Sequence, residues 1–315
     1  MNFVCKTLLT LLIACWTPLF STVTITKDDV PILACVINRA DKRKCEIAIC
    51  AIFRNEADFL KEWIEYHRLV GVGHFYLYNN LSQDHFWTVL KPYVDKGIVE
   101  LFDVPLDSNQ HEAKAKTHNF VQVCCYNHAI KLARNLNKWI AIIDSDEFVC
   151  PVIDMTLSKA LSRYSYADGV VAYWKMFGTS NVWDLTSDEL MIEKMLLRIP
   201  TPTTSNLFKS IVRPERAVCQ NPHLTRIKNG LLVLPNHKKF RHSQKFPVLP
   251  VDTICINHYS FRTEKFYHQV KRARRANWGE VFSEEAARAY LESFNAVYDD
   301  AMLRFVPQLK ERMKQ

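Results

Sequence analysis

From Cys45 to Ile143 the chain alternates short apolar, β-branched runs with segments of helical period. This alternation confines it to folds in which right-handed crossovers build a mainly parallel sheet flanked by helices. The run Cys45 to Phe53 (CEIAICAIF) predicts a strand buried within such a sheet. Asp58 is placed to cap the helix that follows, in which Phe59, Leu60, Trp63, Ile64 and Val70 recur at helical spacing, and Gly71 stands where a left-handed C-terminal residue is wanted. The same logic predicts strands over His74 to Tyr78, Ile98 to Phe102 and Trp139 to Ile143, with helices over Phe86 to Tyr93 and Val121 to Leu136. Ligands of such sheets lie beyond the carboxyl ends of the strands. There the sequence places Arg54, Asn55 and Glu56, then Asn79 and Asn80 with Ser82 and Asp84, then Asp103, and finally Asp144, Ser145, Asp146 and Glu147. Taken singly, Asn, Ser and Asp at these positions serve as readily for turns and helix caps as for ligand binding.

The last group carries the strongest chemical signal, because Asp144 and Asp146 follow the fully apolar run WIAII and are one residue apart. In an extended segment, side chains two apart face the same way. Two carboxylates converging from a strand end make a hard-oxygen site for Mg²⁺ or Mn²⁺, either of which can bridge a pyrophosphate. Glu147 is either a further ligand or the cap of the following turn.

Glycine is scarce, with 7 in 315 residues, and neither G-x-G-x-x-G nor G-x-x-x-x-G-K-[ST] occurs. Any phosphate must therefore be met by a metal or by cationic side chains. The formal charge is +8, with a dense basic stretch at Lys265 to Arg275 (KFYHQVKRARR). That stretch reads as a solvated helix face or as a site for a small diphosphate; no nucleic-acid-binding motif accompanies it, and nucleic acid is not an expected partner. With 48% apolar and 23% charged residues and no Pro/Gly/Ser linker, a single catalytic domain is expected over residues 45–280. A C-terminal helical segment, residues 281–315, carries Ala286, Ala287, Tyr290, Leu291, Phe294 and Val297 at helical spacing and is expected to dock on that domain.

Taken together, the segments FRNEADFLKEWIEYHRLVGVGHFYLYNN, QVCCYNHAI, WIAIIDSDEF, YWKMFG and INHYSFRTEKF resemble glycosyltransferase family 92 and related family 2-like proteins, over about Glu46 to Trp278. The resemblance implies a GT-A-type, Rossmann-like α/β fold. It also implies a nucleotide-sugar donor, a UDP-sugar in the first instance, a divalent metal, and inverting transfer to a glycan or glycoconjugate hydroxyl. Carried over by position, Phe53, Arg54, Asn55 and Glu56 would line the nucleoside pocket, and Asp144 and Asp146 would hold the metal. Relatives often read Tyr-Asp-Asn where this chain has Tyr78-Asn79-Asn80, which leaves open whether Asn79, Asn80, Ser82 or Asp84 meets the uridine or ribose. GT-A enzymes often complete the metal shell with a late histidine, and His258 is so placed, although a lone histidine is more often structural. Arg262 and Lys265, with Lys271 and Arg274 beyond, would then neutralise the leaving diphosphate.

Breaking the anomeric bond puts negative charge on the departing nucleoside diphosphate, so cations placed there favour the transition state over the ground state. A carboxylate or imidazole must take the acceptor's proton. Asp184, after an aromatic-rich loop, is the expected base, with Glu189 and Glu215 as rivals. Trp174 and Trp183 are candidates for stacking on sugar rings or for core packing. A catalytically inactive carbohydrate-binding protein of the same fold and a metal-dependent phosphotransferase or nuclease are the competing classes, and the latter would need more acidic ligands at the strand ends.

The N-terminus has Lys6 and then no charged residue until Lys27, with a leucine-rich centre at Leu8 to Ala14. Residues 1–26 read as a signal peptide or a membrane anchor, since an uncharged span of about 20 residues is just enough to cross a bilayer. Leu12 to Cys15 also resembles a bacterial lipoprotein cleavage site. Without Cys5 and Cys15, eight of the ten cysteines remain (35, 45, 50, 124, 125, 150, 219 and 255), an even set that permits disulfides in an oxidising lumen. A Golgi-lumen enzyme on a membrane anchor fits these features together; a cytosol-facing anchor is the alternative, and an exported bacterial version would need a donor such as a lipid-linked sugar.

Overall fold

The computed structural model describes residues 23–25, 30–36, 45–108, 120–201, 207–241, 248–272 and 283–315. Most of the expected leader and Arg274 lie outside them. The elements run β1 (Val23–Ile25), β2 (Pro31–Val36), β3 (Ile47–Phe53), α1 (Ala57–Leu69), β4 (His74–Asn79), α2 (Phe86–Asp95), β5 (Val99–Asp103), α3 (Phe120–Ala133), β6 (Trp139–Ile142) and β7 (Glu147–Cys150). They continue with α4 (Leu157–Ser162), β8 (Gly169–Met176), α5 (Met191–Lys194), β9 (Leu197–Arg198), β10 (Phe208–Val212), β11 (Ala217–Asn221), β12 (Leu224–Ile227), β13 (Leu232–Val233) and β14 (Cys255–His258). A short helix α6 (Glu264–Phe266) then runs into a π-helical turn (Tyr267–Lys271), and α7 (Glu284–Ser293), β15 (Val297–Tyr298) and α8 (Val306–Met313) close the chain.

A curled sheet forms the centre of a mixed α/β fold, in the order β1-β2-β5-β4-β3-β6-β10-β8-β14-β7, with β13 beside β8. The strands expected from the alternation, β3, β4, β5 and β6, lie together and pair in parallel. Their ends fall within one or two residues of expectation. Beyond β6 the sheet is mixed: β10 inserts antiparallel between β6 and β8, and β7 pairs antiparallel with β14. The sheet is thus mixed: β3, β4, β5 and β6 form its parallel block, β14 and β13 pair in parallel with β8, and β1–β2 and β2–β5 are antiparallel.

Helices cover both faces. On one face α1, α2 and α8 bury Leu60, Trp63, Ile64, Tyr66, Leu90, Val94 and Leu309 against Ile47, Ile49, Ala51 and Leu77 of the sheet. On the other, α3 lays Val121, Cys125, Tyr126, Ala129 and Ile130 over Ala48, Cys50, Tyr76, Tyr78, Ile140 and Ile142. The alternate residues of β3 and β4 divide between these two cores, which is why the runs are apolar throughout rather than alternating. Helix α1 ends as its sequence implies, with Gly71 at φ 105°. Its start differs: the side chain that accepts from the first turn is Asp84, through Ala57 N–H at 2.8 Å, and not Asp58. In the C-terminal segment, Ala287, Leu291 and Phe294 meet Phe261 and Tyr267.

Seven cysteines, Cys45, Cys50, Cys124, Cys125, Cys150, Cys219 and Cys255, carry free thiols, six of them buried. They fill core space, and the expected disulfides are absent among these seven. Among the described residues no helix is long and apolar enough to cross a membrane.

Candidate active site at the carboxyl edge of the sheet

The link between β6 and β7 is a turn rather than an extended segment, closed by Glu147 N–H donating to the Asp144 carbonyl at 3.1 Å. The two aspartates consequently engage different partners. One oxygen of Asp144 accepts from Gln122 Nε2 and the Tyr126 hydroxyl, each at 2.7 Å, and the other from Lys209 Nζ at 2.8 Å. Burial would raise this carboxyl, but the Lys209 ammonium and the hydrogen bonds from Lys209 and Tyr126 outweigh it and hold the group well below the usual carboxylate range.

Asp146 turns to the other side. Its carboxylate lies 3.4 Å from His258 Nε2, 3.3 Å from Arg262 Nη1 and 3.5 Å from Lys271 Nζ. Glu147 is fully buried; its Oε2 accepts from the Asp144 N–H at 3.2 Å, whereas Oε1 has no hydrogen-bond partner and stands 3.6 Å from Lys209 Nζ. One potential ligand atom from each of Asp146, Glu147 and His258 lies within 4.8 Å of the others. Asp144, expected in the metal shell, is not in this group, and both its oxygens accept hydrogen bonds from Gln122, Tyr126 and Lys209. Burial and the nearby Lys271 depress His258 to about 3, so its imidazole is neutral and has a lone pair to offer. Two acids and a neutral imidazole suit a hard or borderline divalent cation; burial holds the Glu147 carboxyl well above its usual range, and its orphaned Oε1 is the atom that such an ion would satisfy.

The expected nucleoside residues are gathered at the ends of β3, β4 and β5 and knit to one another. Asn79 Nδ2 donates to Asp103 at 2.8 Å, and its Oδ1 accepts from Ser82 N–H at 2.9 Å. Asn55, at φ 55°, exchanges bonds with the facing loop, its N–H to Ser82 Oγ at 3.0 Å and its Oδ1 from Gln83 N–H at 2.8 Å. Asn80 ties down the carbonyls of Val104 and Leu106, Arg54 pairs with Asp107 at 3.1 Å, and Phe53 is buried against Phe86. Left-handed non-glycine residues at Asn55, Leu81, Ser180, Asn181 and Arg262 all sit in loops around this edge. Each carries backbone strain of the kind that gathers where geometry is imposed for function.

Several expected roles are redistributed. Arg262 is 1% exposed, donates to Glu56 and to the Tyr259 carbonyl, and lies over the rings of Phe59 and Phe266; it braces Asp146 and Glu56 from below. Glu56 is therefore paired within the fold. Lys265 forms an exposed pair with Asp184 at 2.6 Å, and Glu189 pairs with Lys194 at 2.5 Å. Both acids are held below their usual range by those hydrogen bonds, which makes them weaker proton acceptors. Trp174 is buried between His258 and His223, at ring separations of 4.2 and 5.1 Å; Trp183 is 60% exposed. Lys209, Gln122, Tyr126 and His223 had no sequence expectation. Lys209 had a visible signal, a lone charge inside the apolar strand FKSIV.

The fold and this edge define an α/β domain whose strand-end loops present an acid–imidazole cluster beside two buried cations, Lys209 and Arg262, and the partly exposed Lys271. Glycosyltransferase family 92 matches residues 43–296, and the chain belongs to that family. A family 92 protein of Ricinus communis is 27% identical over 237 residues, covering 71% of this chain and 38% of that protein. One of Arabidopsis thaliana is 29% identical over 245 residues, 72% of this chain and 38% of the relative. A galactan β-1,4-galactosyltransferase of Arabidopsis thaliana is 31% identical over 204 residues, 58% and 37% respectively. The chain thus spans less than two fifths of the length of these relatives. Among solved structures, Staphylococcus aureus TarS (residues 1–349) aligns at a TM-score of 0.35 and 13% identity over 77% of this chain and 68% of that one, a level that does not by itself establish a common fold.

Proposed function

We propose that this chain transfers a sugar from a UDP-sugar to a hydroxyl of a glycan or glycoconjugate, with inversion and with Mn²⁺ or Mg²⁺ at the donor diphosphate. The observation that carries this reading is the group Asp146, Glu147 and His258, with ligand atoms within 4.8 Å beyond the carboxyl ends of the strands and with Lys209 and Lys271 next to it. Bound there, a divalent cation would neutralise diphosphate charge and stabilise the leaving group.

The chain's own residues account for the rest. Lys271 is 22% exposed and 3.5 Å from Asp146, which places a cation beside the cluster where an incoming phosphate would lie. Lys209 is fully buried and holds Asp144 and Glu147 in place, a positioning role. The knitted loops at Asn55, Asn79 and Asn80 support a rigid nucleoside pocket, because their amides are already fixed before a ligand arrives. Asp184 and Glu189, neutralised by lysines, have no part in this reading.

The test is donor hydrolysis and transfer with UDP-galactose and UDP-glucose, with Mn²⁺ and after EDTA, for the wild type and Asp146→Asn. The reading expects turnover that needs Mn²⁺ and is lost in the variant. Equal turnover in EDTA would overturn the metal site, and no turnover with either sugar nucleotide would overturn the reading in favour of a binding protein.

A further inference from the structure

A groove of about 730 Å³ opens between the loop after β8, the helix–π-turn of residues 264–271 and α7. Trp183, Glu264, His268, Glu285, Arg288 and Glu292 are among its lining residues. Its size falls in the range of about 300–1,000 Å³ typical of ligand clefts. The π-helical turn links it to the acid–imidazole cluster: His268 lines the groove, and Lys271, three residues on, reaches Asp146 at 3.5 Å. π-turns inside helices recur at functional sites.

The wall that carries Trp183 is built with care. The N–H groups of Glu264 and Lys265 donate to the carbonyls of Val182 and Trp183, each at 2.9 Å, and the Lys265–Asp184 pair closes the same junction. Ser180 and Asn181 are both left-handed, at φ 51° and 60°, and Asn295 clips them by accepting from Ser180 N–H at 2.9 Å and donating to Asn181 at 3.1 Å. The result holds out an indole that is 60% exposed, with the His268 ring near-parallel to it at 29° and 6.4 Å. An exposed aromatic face on a braced loop suits the C–H face of a pyranose, and carboxylates accept hydrogen bonds from hydroxyls.

The described lining of the groove is net acidic. The groove has four carboxylates, Glu264, Glu284, Glu285 and Glu292, against one guanidinium, Arg288. Glu284 is paired with Arg272, which leaves three to one. An anionic ligand is repelled there, whereas a hydroxyl-rich neutral one is not.

We propose that this groove is the acceptor subsite, and that it takes a neutral, hydroxyl-rich oligosaccharide and rejects uronate or phosphorylated ones. The inference rests on the glycosyltransferase reading for the word acceptor, but the binding it predicts does not need turnover. The full chain is titrated with β-1,4-galactotetraose and with a galacturonate tetramer, followed by saturation-transfer NMR, and separately with UDP and Mn²⁺. Saturable binding is expected for the neutral tetramer only. Trp183→Ala should weaken it by about tenfold, about 1.4 kcal/mol, while Trp183→Phe keeps most of it and UDP binding is unchanged. The triple substitution Glu264→Gln, Glu285→Gln, Glu292→Gln should bring the acidic tetramer to within about threefold of the neutral one. Unchanged binding in Trp183→Ala, equal affinity for the acidic tetramer in the wild type, or no binding of the neutral tetramer would overturn the assignment. Failure of UDP to bind while the tetramer binds would count against the donor reading and leave the groove intact.

Discussion

Replacing Lys209 by methionine removes the positive charge shared by two acids while keeping the length of the side chain. Lys209 is fully buried, 2.8 Å from Asp144 and 3.6 Å from Glu147. Taking away one partner of a buried pair typically costs about 3–5 kcal/mol, because the remaining charge stays uncompensated, and here the Asp144 carboxylate is left without its ammonium beside Glu147, whose carboxyl burial already holds well above the usual range. The pH dependence follows from the sign of the shift. In the wild type the Asp144 carboxyl is depressed by Lys209, so its stabilisation is present above the ordinary carboxylate range and is lost only as pH falls through the depressed value. In Lys209→Met both acids resist ionisation, and their penalty exists above that range and fades on acidification. Urea unfolding at pH 7.5 should therefore show a loss of about 3–5 kcal/mol that narrows toward pH of about 4. Adding Asp144→Asn should recover part of it in a double-mutant cycle. A loss below about 1 kcal/mol that does not change with pH is the signature of a surface pair, and it would refute the buried-charge argument.

Two further outcomes follow from the packing. Glu62 is buried and accepts from the N–H groups of Met191 and Ile192, and burial raises it to about 7; the folded state then binds more protons than the unfolded one between about 4.5 and 7, so stability falls with rising pH by up to about 3 kcal/mol. Glu62→Gln should abolish that slope in urea titrations at pH 5 and 7.5, and an unchanged slope would show that the group is solvated. A methyl group at Gly178 would lie 2.1 Å from Asn295 Oδ1 and 2.8 Å from the Phe294 carbonyl, so Gly178→Ala should lower stability by about 1–3 kcal/mol, and an unchanged thermal midpoint would mean that the loop yields freely.

The first half of the fold was legible because β3 to β6 are covered on both faces, and burial of that kind writes itself as unbroken apolar runs separated by helix-period segments. The mixed half beyond β6 was not. The place of β10 depends on its pairing with Ile140 to Ile142, some seventy residues earlier, and no local pattern announces such a partner. Lys209 entered the site with that strand. The aspartate pair was located correctly at the strand end, but the two-residue alternation does not survive a turn, and the Asp-Ser-Asp composition is itself turn-forming. That turn moved Asp144 to Lys209 and Tyr126, and left Glu147 facing Asp146 and His258. Arg262 and Lys265 looked alike in sequence because both are cations of the same segment, INHYSFRTEKF. Only packing separates an arginine 1% exposed over two phenyl rings from a lysine paired at the surface with Asp184.

The central claim, that Asp146, Glu147 and His258 and not Asp144 hold the divalent cation, is tested most directly by calorimetric titration of Mn²⁺ into the wild type, Asp144→Asn, Glu147→Gln and His258→Ala. The account predicts one saturable site in the wild type, retained in Asp144→Asn and weakened beyond detection in the other two. Loss of the site in Asp144→Asn, with binding unchanged in Glu147→Gln and His258→Ala, would contradict it.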